Sequence, residues 1–594
     1  MLGASLHYAL ATYVASRQIA SDVSAKKQQD RAEKIARLTP KYSAPLTEED
    51  QRILGLSLTQ LVGECNDGAI NPSSILSAHG KKCLAAQEST NCLTDFMFEE
   101  GLSKVTTNRP LSGVPVSIKD CFDVEGHDTT LGFSSKANQP VPSSASIVQL
   151  LQDAGALIHV KTAVPTGMFS FETKSDLFGE TSNPYNPKFA AGASTGGGAA
   201  LLAYHGSKIE IASDIGGSVR FPPAYCGVYG MKASWGRFPA HGSHAAPGGM
   251  ESIQTIPSPM AKTLEDLISF WERVVGMKPW EYDHTCVPIP WRPVDFVLTG
   301  KKPKWGVIWD DGIMPATPAC ERGLKSAVES LRKLGHEVID FQPPSILEVL
   351  KTGFQFLSAD GGACTTFITS ICLMAILSAD TIAAPLSPSE SLSDPMMEFR
   401  RILKMPLFAK RLMASLLRML SRPAGRNDAF AALSEVLHPM SVAEERALVL
   451  KREEQKAAWT KAFKDQGVDF ILTIAHPLPP VLRGKSGTAT LLSASSAFLF
   501  NVLDFTAGVV PVTFVDRWLD ALPDNFQETE AYGKLNDAAR NMFSCYDAVA
   551  MDGLPIAVQV VGRRFEEEKV LEGMKAIETA LKETDKAFVQ REFY

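Results

Sequence analysis

The stretch "GGAALLAYHGSKIEIASDIGGS", residues 197–218, decides the fold. A glycine-rich entry leads into an apolar helical run, then a β-branched strand, then a turn carrying two glycines and a serine. The same helix-then-strand order appears in "SIVQLLQDAGALIHVKTAV" (146–164), behind the buried-strand pattern "GVPVSIKD" (113–120). Further on, "KWGVIWDD" (304–311), "GLKSAVESLRKLGHEVIDF" (323–341), "GLPIAVQVVGRR" (553–564) and "EEEKVLEGMKAIETALK" (566–582) continue it. Alternation of this kind predicts an α/β fold, a sheet covered by helices.

The bulk properties agree. The 594 residues are 45% hydrophobic and 21% charged, an ordinary globular balance with ample material for a core. A formal charge of −7 argues against a dedicated nucleic-acid binder. The ten cysteines show no Cys-x-x-Cys pair and no metal-ligand spacing, which suits free thiols in a reducing compartment. A cytoplasmic protein is expected. The N-terminal "MLGASLHYALATYVASRQIA" is too short and too polar to span a bilayer and reads as a packed helix. Residues 1–50 form a helical arm, 51–582 the main body and 583–594 a tail. From 355 to 435 the rhythm breaks into a helix-prone, Met- and Leu-rich insertion, read as a cap.

The turn "DIGGSVRFP" (214–222) carries the chemistry. Gly-Gly-Ser alone is a common flexible turn. Here it follows a predicted strand, Lys119 closes another, and Ser194 sits in "GASTGGGAA" (192–200). That loop lacks the Gly-Lys-Ser/Thr ending of a nucleotide-binding loop. A serine hydroxyl needs a base to become a nucleophile, and a lysine kept neutral by burial can serve, with a second serine relaying the proton. Gly216 and Gly217 would let backbone N–H groups approach an oxyanion closely.

The run from Gly192 to Ser234, with "SGVPVSIKDCFDVEG" (112–126), resembles the amidase signature hydrolases, whose mark is a Ser–Ser–Lys triad. The stretches "KTAVPTGMFSFETKSDLFGETSNPYNP" (161–187), "PWEYDHTCVPIPWRP" (279–293) and "NVLDFTAGVVPVT" (501–513) resemble the fungal acetamidase and fatty acid amide hydrolase branch. The resemblance implies a large mixed sheet with helices on both faces. It implies Ser218 as nucleophile, Ser194 as bridge and Lys119 as base. Ile215, Gly216, Gly217 and Ser218 match the oxyanion-hole backbone, and Met168 a residue whose backbone lies beside the substrate. Asp214 and Arg220 match a structural polar pair. The bond between Ala193 and Ser194 would be cis. Ala193 and Thr195 stand where the family usually has Gly and Ser.

The expected function is hydrolysis of a small-molecule carboxylic acid amide through an acyl-enzyme, with no metal or cofactor. Two alternatives keep the scaffold: an amidotransferase A-type subunit, and a non-catalytic binding protein. Residues 395–426 hold eight Lys/Arg and one acidic residue, Glu398, interleaved with large apolar side chains. A cap helix over the cleft is the first reading. The second is an amphipathic surface in peripheral contact with membrane, as the resemblance to fatty acid amide hydrolase implies. Pro406 would divide the segment into two helices. A homodimer is the family-based expectation.

Overall fold

The computed structural model describes residues 2–245, 248–359, 386, 390, 392–420, 427–489 and 491–593, without the side chains of 2–17, 297, 298 and 420. The strands β1 (Leu93–Phe96), β2 (Pro115–Lys119) and β3 (Leu157–Thr162) precede a small hairpin, β4 (Lys174–Ser175) and β5 (Gly179–Glu180). After them come β6 (Ile209–Asp214), β7 (Tyr229–Lys232) and β8 (Ile256–Ala261). The far half uses β9 (Trp305–Val307), β10 (Val338–Asp340), β11 (Phe470–Ile474), β12 (Ala507–Phe514) and β13 (Pro555–Val561). Eleven of them form one mixed sheet in the order β1-β3-β2-β6-β8-β7-β12-β13-β11-β9-β10. β2 lies between β3 and β6, parallel to both.

Every residue of β2, β3 and β6 is buried, so both faces of this part of the sheet are covered. That is why "PVSIK" reads as an apolar run rather than an alternation. The helix Gly196–Ala203 lies directly on these strands, and its glycines explain how closely. A Cβ on Gly197 would come within 2.4 Å of the Ala163 nitrogen, and one on Gly198 within 2.3 Å of the Glu210 carboxyl carbon. The short helix Phe221–Cys226 follows the turn after β6, with prolines in its first turn and Gly227 as a left-handed cap at φ 65°.

The N-terminal helix Leu2–Arg37 is held to the body along its second half, by Lys27 on Asp128 and Lys34 on Asp95 and by Arg31 donating to the Leu93 carbonyl. Of the expected cap, residues 360–385, 387–389, 391 and 421–426 lie outside the described residues. The described part forms helices Asp394–Lys404, Leu407–Leu420 and Asp428–Glu435, the first two separated at Pro406. Among the described residues no helix is long and apolar enough to cross a membrane. The final segment folds back on the body, with Phe593 stacked on Tyr204 and Phe588 on Phe514.

Candidate active site

Three backbone features converge at the end of the β2–β6 pair: the last residue of β2, the glycine-rich turn before helix Gly196–Ala203, and the turn after β6. They bring together Lys119, Ser194 and Ser218. Lys119 Nζ lies 2.8 Å from Ser194 Oγ, and Ser194 Oγ lies 2.9 Å from Ser218 Oγ. Each hydroxyl can donate or accept, so the same line can pass a proton either way. Lys119 is fully buried, and Ser218, at 9% exposure, is the outermost of the three. Burial pulls the Lys119 pKa below its ordinary value, and the nearby Cys121, Asp214 and Glu210 oppose that pull. The Ala193–Ser194 peptide bond is cis, as the family resemblance implies.

A second layer holds the turn. Asp214 is buried; desolvation alone would raise its pKa, but Arg220 outweighs this and holds the carboxyl well below the usual carboxylate range. Arg220 Nη2 and Nε donate to the Asp214 oxygens at 2.9 and 3.1 Å. The same guanidinium reaches Asn501 Oδ1, Gln559 Oε1 and the Ala497 carbonyl, tying the turn to residues some 280 to 340 positions away. Asp214 also accepts the N–H groups of Gly217 and Val219. Gly217 sits at φ +126°, where a Cβ would come within 2.3 Å of the Phe221 ring. The glycine is required there on both counts. Because the Gly217 N–H is held by Asp214, the N–H groups of Ile215, Gly216 and Ser218 are those without a protein partner among the described residues.

Ser218 opens onto an apolar cavity. Met168, Phe171, Ile215, Phe221, Phe354 and Phe498 line it, together with Ala193 and Gly216. Met168 sits in the left-handed region at φ 61°. A second apolar cavity under helices Asp394–Lys404 and Asp428–Glu435 shares Phe354 and Leu491 with the first. Phe169 of the first cavity stacks on Phe399 of the second at 6.3 Å. Sequence reasoning did not find Phe354, Leu491 or Phe498, which no local motif marks. It also missed Ser213, whose carbonyl and hydroxyl both lie 3.2 Å from Lys119 Nζ. Its position one residue before Asp214 was the available clue.

The site therefore joins a buried lysine to two hydrogen-bonded serines beside a glycine turn, on an eleven-stranded α/β sheet. Residues 74–571 match the sequence profile of the family described as Amidase, and the chain belongs to that family. It is 31% identical over 592 residues to fatty-acid amide hydrolase 1 of Sus scrofa, covering 96% of this chain and 94% of that protein. It is 28% identical over 557 residues to the acetamidase of Emericella nidulans, covering 90% of each. A solved structure titled fatty acid amide hydrolase superposes with a TM-score of 0.79 at 24% identity, over 94% of this chain and 95% of that one. The chain is an amide hydrolase of the amidase signature fold.

Proposed function

We propose that the protein cleaves amides with long apolar acyl groups through an acyl-enzyme on Ser218, with Lys119 as base and Ser194 as relay. The observation that carries this reading is the line of contacts from Lys119 through Ser194 to Ser218, ending in an apolar cavity. Neutral Lys119 takes a proton from Ser194 as Ser194 takes one from Ser218, whose Oγ attacks the amide carbonyl. The N–H groups of Ile215, Gly216 and Ser218 face the developing oxyanion without losing another partner. The proton returns along the same line to the leaving amine, and water then releases the acid. The Asp214–Arg220 pair keeps the turn rigid and takes no part in proton transfer.

Two neighbouring apolar cavities sharing Phe354 and Leu491 support a long acyl chain over a short one. The relative named for fatty-acid amides points the same way. In an acyl-chain series of primary amides, kcat/KM is expected to rise from acetyl to acyl groups of about ten or more carbons. Each buried methylene contributes up to about 0.8 kcal/mol. A flat or falling series would contradict the long-chain reading and leave the hydrolase assignment standing.

The cap supports peripheral membrane contact. Phe408, Leu412, Leu416 and Met419 form one stripe along helix Leu407–Leu420 and are 75%, 60%, 44% and 59% exposed. Their spacing places all four on one face. Arg401, Lys404 and Arg411 are exposed nearby; Arg418 pairs with Glu435, and buried Lys410 donates to the Leu403 and Leu437 carbonyls. An apolar stripe beside exposed cations is the pattern of a helix lying in a lipid interface. Replacing the four apolar residues with serine is expected to abolish co-flotation with anionic phosphatidylcholine/phosphatidylserine vesicles while leaving hydrolysis of a water-soluble amide within a factor of about two. Unchanged flotation would remove the membrane reading.

A further inference from the structure

Glu210 is a buried carboxyl for which the catalytic line described above has no use. It lies on β6 opposite Ser117 of β2, in a parallel register that places Ile118 opposite Ile211. Ser117 and Lys119 are two apart on β2, so their side chains share a face of the sheet. Ser117 Oγ donates to Glu210 Oε2 at 2.5 Å, and Thr162 Oγ1 of β3 donates to Oε1 at 2.6 Å. From above, helix Gly196–Ala203 closes the site at Gly198, whose missing side chain makes the space for the carboxyl. Both Glu210 and Lys119 are completely shielded from solvent.

We propose that Glu210 is a positioning residue for the base: its carboxyl, sealed into the same dry layer as Lys119, controls by its own charge how readily Lys119 holds a proton. The proposal rests on Lys119 acting as the base. Charges interact strongly in such a layer because no water screens them. Among the described residues the ionisable groups acting on Lys119 are Cys121, Asp214 and Glu210. Asp214 is fixed as an anion by Arg220, and burial raises the Cys121 thiol and keeps it neutral. On its other sides Glu210 faces Cys92, whose thiol burial pushes up to about 12. Helix Gly196–Ala203 and β8 bring no ionisable side chain. Glu210 is therefore the neighbour whose charge changes near neutrality. Burial pushes its carboxyl up to about 7, against the hydrogen bonds from Ser117 and Thr162 and the charge of Lys119.

The sign follows. An ionised Glu210 favours the ammonium form of Lys119 and makes it the stronger base; a protonated Glu210 favours the neutral amine. Glu210→Gln keeps the shape and can still bond Ser117 and Thr162, but it removes the anion. Lys119 then loses its proton at lower pH.

The test is the second-order rate of fluorophosphonate labelling of Ser218 from pH 5 to 9, in wild type, E210Q and S117A, with thermal melting to confirm folding. The acid limb of E210Q is expected to move to lower pH by about half to one unit, with a few-fold lower plateau from the weaker base. S117A removes one donor from the carboxylate, favours its protonated form and should shift the limb the same way by less. That variant decides the matter alone if E210Q does not fold. Limbs superposing on that of the wild type would overturn the role of Glu210 and leave the lysine base intact. A wild-type profile with no acid limb would remove the lysine base, and this proposal with it.

Discussion

Ser218→Ala is expected to lower amide turnover on the order of 10⁴- to 10⁶-fold and to abolish labelling by a fluorophosphonate. Among the described residues the Ser218 hydroxyl has a single side-chain partner, Ser194, and no hydrogen bond to the Asp214–Arg220–Asn501 network that holds the turn. Removing one oxygen therefore leaves the turn, the N–H donors and the apolar cavity in place. The loss reads out nucleophilic chemistry rather than unfolding, and an unchanged melting temperature would confirm that. Labelling that persisted at wild-type rate in this variant would place the nucleophile elsewhere.

Lys119→Ala is the second large effect, with an expected loss in kcat/KM of about 10²- to 10⁴-fold. Its pH dependence is the more informative reading. Burial lowers the Lys119 pKa, so the amine is neutral and able to take a proton above that lowered value and protonated below it. Wild-type activity should therefore fall on the acid side as Lys119 gains its proton. In Lys119→Ala that limb should vanish, because no group remains to titrate at the end of the relay. Residual activity that kept the wild-type acid limb would mean that another group is the base. The alanine also leaves Ser194 Oγ and Ser213 Oγ without their shared donor, so some loss of stability is expected alongside.

Much of the candidate site was legible from the chain because the three side chains proposed to react sit on local patterns. Lys119 ends an unbroken buried strand, Ser194 lies in a glycine-rich helix entry, and Ser218 follows two glycines after another strand. The helix–strand alternation likewise gives the covered sheet, and Pro406 divides the cap helices where its missing N–H requires. What stayed hidden depends on contacts between distant parts of the chain. Asn501 and Gln559 complete the Arg220 network from far along the sequence, and no spacing rule links them to residue 220. Phe354, Leu491 and Phe498 line the cavity only because three separate helical segments meet over Ser218. The Gly217 N–H illustrates a finer limit. The glycine pair suggests a row of donors, whereas the folded turn gives that one to Asp214. No local pattern in the sequence marks Glu210; only the register with Ser117 and the bare Gly198 above it show that it is sealed.

The most direct measurement is the mass of the protein quenched in acid during turnover of an aryl ester or amide of a fatty acid, followed by peptide mapping. A covalent acyl adduct on Ser218, present in wild type and absent from Ser218→Ala, is the predicted result. Rapid turnover with no adduct at any quench time, or an adduct mapping to another residue, would contradict a reaction that runs through Ser218.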